Sequence, residues 1–389
     1  MAERAYMWFN KMKRMSFKPE LQTYNSILNA YAKHGKTKRD SETLSIAEQI
    51  LKDMLEDGVQ PNIVSFTTLI DVAAETGNVN RANYWFGQLK EAKLKPGVHA
   101  YSVFIKAHTL KVKETLSLEE KKEACQEAGR ILKEMEEEGI QPNLITYTSL
   151  IDAAASMGDV NSANHWFDKM KSDGVQPSSV TYNVLMNAHA QRAKQTQDPH
   201  EVRQAEGLFK EMRKKGVQPC VVTYTTLIEA AAQLGDVHRA RKWFELMQTK
   251  GLRPNLRAFS STLSSCAVIG DLEFAAELYQ QMKATGLEPN SYVLLNMMRT
   301  CANAEEGRVS VLDTAEGLMD DMKTLHIKPL PSIFSLLLSL HRHHSEDARP
   351  KEWIRWIFKI IRPNLDEIQA DDYKAAMELI KTEHKMLQQ

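Results

Sequence analysis

Hydrophobic residues in this 389-residue chain recur three and four positions apart, which is the spacing of one face of an α-helix. One such run contains Tyr147, Leu150, Ile151, Ala154 and Ala155, and the next contains Ala163, Trp166, Phe167 and Met170. Gly158 ends the first run, and Gly174 and Pro177 end the second, because glycine favours a helix C-terminus and proline cannot continue a helix. The pattern predicts a hairpin of two amphipathic helices, A and B.

The hairpin pattern repeats along the chain. The segment Val59-Gln-Pro-Asn62-Ile-Val-Ser-Phe-Thr-Thr-Leu-Ile70 recurs with few changes at residues 140–151 and 217–228. Repeat starts at Leu21, Ile63, Val98, Leu144, Ser179, Val221 and Leu256 define the seven units 21–62, 63–97, 98–143, 144–178, 179–220, 221–255 and 256–290. Self-similarity of this kind predicts a stacked array of helical hairpins.

Most repeats carry a Thr or Ser at their third position, directly before an aromatic residue. We interpret this residue as the N-cap of helix A at Thr23, Ser65, Thr146, Thr181 and Thr223. Repeats three and seven have Ala100 and Ala258 at the same place, which predicts weaker caps there.

Repeats of two helices, opened by Thr-Tyr and closed by Gly-x-x-Pro, resemble the pentatricopeptide repeat family over about 270 of the 389 residues. The Trp, Leu-Gly, Tyr and Pro pattern of the tetratricopeptide repeat is missing. The resemblance implies an all-α fold, a right-handed α-solenoid (superhelix) of stacked helix-turn-helix repeats of about 35 residues. It is typical of a P-type-like array without a recognisable appended catalytic domain.

The two ends of the chain depart from the regular pattern. Residues 1–20 fit a partial N-terminal repeat that contributes only helix B, so no transit peptide is visible in this chain. Residues 291–364 keep the helix-pair rhythm with degraded motifs and predict two degenerate repeats. Residues 365–389 predict a C-terminal helix that caps the stack.

Odd-numbered and even-numbered repeats differ. Repeats two, four and six have an Ala-rich helix A and a Trp in helix B, at Trp85, Trp166 and Trp243. We interpret these Trp side chains as core residues rather than ligand-stacking ones. Repeats one, three and five carry polar insertions between their helices at Lys36–Glu42, Lys111–Lys121 and Lys194–Glu201. We favour the interpretation of the insertions as longer helices joined by tolerated loops. The alternative is a docking edge or phosphate-contacting loops.

Charge and cysteine content exclude several classes of protein. Lys plus Arg and Asp plus Glu number 50 each, so the chain lacks the global basic field of a nonspecific nucleic-acid binder. A local basic groove is still compatible with this balance. No apolar run reaches the length of a membrane span, and we expect no membrane association. The four cysteines show no Cys-x-x-Cys pair and no regular spacing, so we expect a reducing compartment without a disulfide framework or zinc site. We also expect no cofactor.

The family resemblance implies that helix A lines a concave face and that each repeat addresses one base of a single RNA strand. The fifth and last residues of each repeat are then expected at the base edge. The fifth residues are Asn25, Thr67, Ser102, Thr148, Asn183, Thr225 and Ser260, and the last residues are Asn62, Gly97, Asn143, Ser178, Cys220, Asn255 and Asn290. The second residues are expected to stack between bases and are Gln22, Val64, His99, Ile145, Val180, Val222 and Arg257.

The same resemblance suggests a base order. Fifth-position Asn leans to pyrimidines and Thr or Ser to purines, while a terminal Asn favours A and C. The array then suggests C or U, purine, A, purine, pyrimidine, A and A in the 5′ to 3′ direction. The firmest assignments are Ser102 with Asn143, Thr225 with Asn255, and Ser260 with Asn290. Gly97, Ser178 and Cys220 leave their repeats loosely specified.

Positive charge near the end of helix A is limited to the odd repeats. Lys33, Lys111 and Arg192 are the candidate phosphate contacts, whereas Glu75, Ser156 and Gln233 occupy these places in even repeats. Phosphate contacts should therefore be sparse and the salt dependence of binding shallow.

Motifs for catalysis are missing. The sequence has no Gly-rich phosphate loop, no paired His on a helix face and no Asp cluster of a metallonuclease. The group His341-Arg342-His343-His344 is interpreted as an exposed turn rather than a metal site, because no Cys or carboxylate accompanies it at ligand spacing.

The hypothesis from the sequence is a nonenzymatic, monomeric, sequence-selective single-stranded RNA-binding protein of a mitochondrion or plastid. It would act in transcript stability, processing, splicing or translation, with possible protein partners at the insertion edge. One alternative is a protein-binding scaffold or ribosome-associated structural subunit. A second is the RNA-recognition arm of a larger RNA-processing enzyme.

Overall fold

The structure, a computed structural model, describes residues 2–38, 41–115, 117–305 and 310–327, together with residues 330, 332, 333, 336 and 340. Over these residues the chain forms seventeen α-helices and no strand. The first nine are α1 Ala2–Arg14, α2 Leu21–Lys38, α3 Ser41–Glu56, α4 Ile63–Glu75, α5 Val79–Glu91, α6 Val98–Glu114, α7 Leu118–Glu137, α8 Leu144–Ser156 and α9 Val160–Ser172. The remaining eight are α10 Ser179–Thr196, α11 Pro199–Lys214, α12 Val221–Gln233, α13 Val237–Thr249, α14 Leu256–Ile269, α15 Leu272–Ala284, α16 Ser291–Asn303 and α17 Val311–Thr324.

The chain divides into two compact units, residues 1–189 and 190–389, and the division falls within α10. In the first unit the A helices α2, α4, α6 and α8 pack against one another in chain order. In the second unit α12, α14 and α16 do the same. A B helix packs against the A helix of its own pair and against the next A helix, as α5 does with α4 and α6. The predicted all-α solenoid of helical hairpins is confirmed.

The N-cap of helix A is the last residue of the preceding repeat, not the predicted Thr or Ser. Asn62 has extended backbone, and its Oδ1 accepts a hydrogen bond from the Ser65 backbone N–H at 3.1 Å. Ser65 Oγ accepts in return from the Asn62 backbone N–H at 3.2 Å, which completes a capping box. The N-cap assignments to Thr23, Ser65, Thr146, Thr181 and Thr223 are therefore wrong, because these residues stand third in their helices.

The weaker cap predicted for repeat three is confirmed, since Gly97 provides no side-chain hydrogen bond to α6. The weaker cap predicted for repeat seven is wrong. Asn255 caps α14 through its Oδ1, which accepts from the Ala258 backbone N–H at 2.9 Å. The residue that caps a helix A is thus supplied by the neighbouring repeat.

In repeats two, four, six and seven, helix A ends just before a Gly, and the Asn or Asp that follows the Gly caps helix B. Gly270 has φ +75°, and Asp271 Oδ1 accepts from the Phe274 backbone N–H at 3.1 Å to cap α15. A Cβ at Gly270 would overlap the carbonyl oxygen of Asn303, because α16 packs directly over this turn. Glycine is required here for both its backbone conformation and its size.

The aromatic residue at the fourth position of each repeat lies in the core. Tyr101 is 1% exposed, and its hydroxyl donates to Glu134 Oε1 at 2.6 Å on helix α7. Tyr24 and Tyr147 are equally buried and donate to Asp57 and Asp173. Burial, together with the neighbouring carboxylate, raises the pKa of these tyrosines, so they stay neutral donors.

Two of the three repeat-specific Trp residues are core residues. Trp85 and Trp243 are each 8% exposed, as predicted. Trp166 is only half-buried, so its assignment to the core is wrong. The physical reason lies 37 positions earlier in the chain. Trp85 and Trp243 have a Glu there that accepts from the indole N–H, whereas Trp166 has Gly129, which offers no side chain.

The polar insertions are absorbed largely as additional helix. Helices α2, α6 and α10 contain 18, 17 and 18 residues, whereas α4, α8 and α12 contain 13 each. In repeat three only residues 115–117 separate α6 from α7. These lengths support the interpretation of longer helices over that of long docking loops.

At the ends, α1 packs against α2 as expected of a helix B, and α16 and α17 form a further helix pair. Apart from residues 332, 333, 336 and 340, the predicted repeat beyond residue 331 lies outside the described residues. The group His341-Arg342-His343-His344 and the helix predicted at 365–389 lie outside them as well. None of the helices in the described part of the chain has the length and apolarity needed to cross a membrane.

Candidate nucleic-acid interface

The second residue of each repeat stands at the exposed start of helix A. Val64, Ile145, Val180 and Val222 are 54%, 52%, 58% and 55% exposed, an unusual placement for β-branched apolar side chains. Gln22, His99 and Arg257 are exposed at the same position. All seven predicted stacking residues are therefore accessible to a ligand, while their stacking role stays a prediction.

The predicted base-edge residues of repeat one meet across the boundary to repeat two. Asn25 Nδ2 donates to Asn62 Oδ1 at 3.4 Å, and Ser65 Oγ donates to Asn25 Oδ1 at 2.7 Å. The Ser65 backbone N–H donates to the same Asn62 oxygen. The fifth and last residues of this repeat thus form one small hydrogen-bonded cluster at the start of α4.

Repeat three has the same arrangement. Asn143 Oδ1 accepts from the Thr146 backbone N–H at 3.0 Å and lies 3.3 Å from Ser102 Oγ. Ser102 Oγ also lies 2.9 Å from Thr146 Oγ1. These contacts orient the Asn143 amide with its oxygen toward α8. No acceptor among the described residues takes the protons of Asn143 Nδ2, so this group is available to a ligand.

Several fifth-position hydroxyls donate a hydrogen bond to the backbone of their own helix. Thr67, Ser102 and Thr225 are 4%, 1% and 3% exposed, and each donates to the carbonyl four residues earlier at 2.6–2.8 Å. Their remaining polar capacity is as acceptors. Asn25, Thr148, Asn183 and Ser260 are half-buried at the same position. In these buried cases the more accessible member of the pair is the last residue of the repeat.

The last residues of the repeats differ in the hydrogen-bonding groups of their side chains. Asn255 and Asn290 are exposed and cap α14 and α16. Their Oδ1 atoms accept from the backbone N–H groups of Ala258 at 2.9 Å and Val293 at 3.0 Å. Ser178 Oγ accepts from the Thr181 backbone N–H at 3.3 Å, and Cys220 Sγ lies 3.6 Å from Thr223 Oγ1. The N-cap role of these Asn residues was missed from the sequence, although Asn before an apolar run is among the best N-caps.

Acidic residues at the ninth position of the even repeats neutralise nearby cations. Lys106 Nζ lies 3.1 Å from Asp71 and 2.5 Å from the buried Glu75. Burial works to lower the pKa of Lys106, but these two carboxylates outweigh it and raise the pKa. Asp152 pairs with Lys113, and Glu229 pairs with Arg257. The positive charges of Lys106, Lys113 and Arg257 are therefore paired with carboxylates of the protein.

The candidate phosphate contacts occupy different environments. Lys33 is exposed on α2 and Lys111 is half-buried on α6. Arg192 Nε lies 3.3 Å from the buried Glu201. The assignment of these residues to phosphate binding stays a prediction.

A possible metal-ligand group lies at the N-terminus of α11. Ligand atoms of Asp198, His200 and Glu201 lie within 4.8 Å of one another, the single such group over the described ranges. Asp198 caps α11 by accepting from the His200 backbone N–H at 2.8 Å, and Glu201 pairs with Arg192. His200 Nε2 lies 3.1 Å from Gln204 Nε2, so all three groups already have a contact within the protein.

Comparison with known proteins agrees with the geometry. A family model described as the pentacotripeptide-repeat region of PRORP matches residues 109–194 and 151–311. A second, described as the pentatricopeptide repeat domain, matches residues 3–46 and 49–109.

Curated relatives match only part of the chain. A chloroplastic pentatricopeptide repeat-containing protein of Arabidopsis thaliana is 26% identical over 149 residues, which cover 38% of this chain and 14% of the relative. The mitochondrial 15S rRNA processing factor CCM1 of Yarrowia lipolytica is 30% identical over 148 residues, covering 37% of this chain and 17% of the relative. The matched segment is thus less than a fifth of either relative's length.

Among solved structures, the pentatricopeptide repeat protein PPR10 from maize is 22% identical, with a TM-score of 0.42. The alignment covers 92% of this chain and 61% of PPR10. Because the first family model covers residues 109–311, more than half of the 389 residues, the chain belongs to the pentatricopeptide repeat family.

Proposed function

We propose that this protein binds single-stranded RNA sequence-selectively through the exposed starts of its A helices, with one base per repeat. Membership of the family, in which each helical repeat reads one base, supports this function. The observation that carries it is the Asn143 amide, whose oxygen caps α8 and whose Nδ2 is left to a ligand.

The chemistry of the Asn143 amide supplies a rule for discrimination. With Oδ1 engaged by the Thr146 backbone N–H, Asn143 offers a ligand only N–H donors. The Watson–Crick edges of A and C carry a ring-nitrogen acceptor, whereas G and U carry a ring N–H at the corresponding place. A terminal Asn held in this orientation therefore favours A and C. With G or U, the Asn N–H and the ring N–H of the base would face each other as two donors without an acceptor.

The exposed second-position residues supply affinity that does not depend on charge. Val64, Ile145 and Val180 present apolar surface beside the hydrogen-bonding residues, and bases can stack against it. Because Lys106, Lys113 and Arg257 are held by carboxylates, few cations remain for phosphates. Binding should then depend only weakly on salt.

We place this activity in RNA metabolism of a mitochondrion or plastid, as a nonenzymatic factor in transcript stability, processing, splicing or translation. Curated relatives named as chloroplastic, and a mitochondrial rRNA processing factor, support this placement. Occupying a single strand blocks nucleases and base pairing, which is sufficient for each of these roles without catalysis.

Asn143→Asp provides the test. Asp caps helices as well as Asn, so folding is preserved, while the Nδ2 donor becomes a carboxylate acceptor. Fluorescence anisotropy should show that the parent prefers 5′-CAAACAA-3′ over 5′-CAGACAA-3′ and that Asn143→Asp reverses this preference. Each change should be about tenfold, which corresponds to about 1.4 kcal/mol.

Asn78→Asp is the matched control. Asn78 caps the B helix α5 through an equivalent hydrogen bond to the Arg81 backbone N–H at 3.1 Å, away from the proposed base edge. This variant should bind both RNAs as the parent does. Equal binding of the two RNAs by both the parent and Asn143→Asp would refute one-base readout, and absence of RNA binding would favour a protein scaffold.

A further inference from the structure

Two pairs of neighbouring repeats share a three-residue bridge between their B helices. In the first unit, Glu48 Oε1 on α3 accepts from Arg81 Nε at 2.5 Å and from Trp85 Nε1 at 3.0 Å on α5. In the second unit, Glu206 Oε1 on α11 accepts from Trp243 Nε1 on α13 at 3.2 Å and lies 3.6 Å from Arg239 Nε. One carboxylate thus satisfies an indole N–H and a guanidinium in each pair.

Repeats three and four keep the Trp and lose the other two members. Trp166 follows Gly129 by the same 37 positions that separate Trp85 from Glu48 and Trp243 from Glu206. Ser162 stands where Arg81 and Arg239 do. The Ser162 hydroxyl donates to Asp159 Oδ2 at 2.6 Å, so it does not replace the bridge. No acceptor in the described parts of the chain receives the Trp166 indole N–H.

An open pocket takes the place of the bridge. It has a volume of about 590 Å³ and lies between α7, α8 and α9, within the first unit. Ala128, Leu150, Ala153 and Met157 form an apolar floor, and Trp166 forms one wall. We call this space the Trp166 pocket. Its volume falls within the roughly 300–1,000 Å³ of typical ligand pockets, so a single carboxylate does not fill it.

The rim of the Trp166 pocket is basic. Lys122, Arg130 and Lys133 line it and are exposed, against the one carboxylate of Asp159. Arg130 pairs with Glu127 at 3.1 Å, in an exposed contact worth little. Lys122 and Lys133 form no ion pair within the described residues. The charge of the rim therefore complements an acidic ligand.

We propose that the Trp166 pocket binds a segment of a partner protein that carries a Glu or Asp beside a large apolar side chain. The carboxylate accepts from the Trp166 indole N–H, at the place that Glu48 and Glu206 occupy in the sister pairs, and the apolar side chain covers the floor. A carboxylate is favoured over an RNA phosphate because the two sister sites hold a carboxylate. The pocket also shares no residue with the proposed RNA-binding set.

Gly129→Glu tests the proposal by supplying the missing carboxylate from within the chain. A Cβ at Gly129 meets no atom within 4 Å, and Glu has a higher helix propensity than Gly, so the variant should fold. Gly207→Glu is the control, since Gly207 is exposed on the B helix α11 and also has no atom within 4 Å of an added Cβ. Trp166→Phe removes only the indole donor and the larger ring.

The probe is a fluorescein-labelled peptide of sequence Glu-Glu-Leu-Phe-Glu-Glu, with a Gln-for-Glu peptide as comparison and unlabelled 5′-CAAACAA-3′ RNA as competitor. The parent and Gly207→Glu should bind the acidic peptide equally. Gly129→Glu, Trp166→Phe and the Gln peptide should each weaken binding by about tenfold or more, and RNA should not displace the peptide.

Several results would overturn the proposal. One is unchanged peptide affinity in both Gly129→Glu and Trp166→Phe, and another is equal binding of the Gln peptide. Failure of the parent to bind the acidic peptide at millimolar concentration is a third. Displacement by RNA would assign the pocket to nucleic acid instead. Each outcome is independent of base readout, because that is measured with Asn143→Asp.

Discussion

Arg257 and Glu229 form a bidentate ion pair that joins α14 to α12. Arg257 Nη2 donates to Glu229 Oε2 at 2.8 Å, and Arg257 Nε donates to Oε1. The side chain of Arg257 is 65% exposed, whereas that of Glu229 is 13% exposed. The guanidinium predicted to stack on a base is therefore held by a protein carboxylate before any ligand arrives.

Glu229→Gln should release Arg257 for RNA. The freed cation can stack on a base or contact a phosphate, so affinity for 5′-CAAACAA-3′ should rise by about three- to tenfold. If a phosphate is contacted, the slope of log affinity against log salt should steepen by about 0.7. Anisotropy titrations at several salt concentrations measure both. Glu245→Gln is the control, because it frees Arg241 on the B helix α13. Unchanged affinity in Glu229→Gln would show that Arg257 takes no part in binding.

Acid should destabilise the fold through His108. This residue is 4% exposed, and its Nε2 lies 2.9 Å from Asn83 Oδ1. Burial lowers the pKa of His108 to about 4 from the ordinary 6.5, and Lys111 adds to this while Glu127 opposes it. The unfolded chain then binds a proton that the folded chain does not, so stability falls as pH drops from about 6.5 to 4, by about 3 kcal/mol.

His108→Gln should flatten this loss, since Gln keeps a polar group near Asn83 and does not titrate. Urea unfolding at pH 7, 6, 5 and 4 measures the free energy of unfolding for parent and variant. His99→Gln, at an exposed position of the same helix, should follow the parent curve. If the free energy of unfolding fell equally with pH in the parent and in His108→Gln, His108 would not be the cause of the acid destabilisation.

Gly270→Ala should cost about 3 kcal/mol in the free energy of unfolding, because it adds a left-handed backbone penalty and an overlap with Asn303. Gly251→Ala separates the two causes. Gly251 has φ +74° and no atom within 4 Å of an added Cβ, so its cost should be about 1 kcal/mol. Urea midpoints compare the variants, and equal losses would exclude the overlap.

Trp85→Ala should destabilise the fold by roughly 3–5 kcal/mol, because it leaves a cavity and removes the donor to Glu48. Trp166→Ala should cost less than about 2 kcal/mol, since Trp166 is half-buried beside an open pocket. Thermal melting of the two variants compares their losses of stability. Equal shifts would mean that Trp166 is as much a core residue as Trp85.

Helix order and type could be read from the sequence because glycine and proline mark nearly every boundary. The N-caps were misread although their signal is local, since Asn62 caps α4 through Ser65 three residues later. Other roles depend on residues far apart in the chain. Asn62 caps one helix while meeting Asn25 from another, and the exposure of Trp166 depends on Gly129. The pair Arg257–Glu229 spans 28 positions and arises only when α14 packs on α12. Local propensity predicts helices, whereas such pairings require the packed structure.

The unequal lengths of the A helices have a consequence for how such arrays diversify. Helix α2 is five residues longer than α4, about 7.5 Å at 1.5 Å per residue, and the difference lies at the hairpin end. The Asn caps and second-position side chains lie at the opposite end. Insertions and deletions at the hairpin end can therefore change the length of a repeat without shifting the residues proposed to contact RNA, so the two ends of a repeat can change independently.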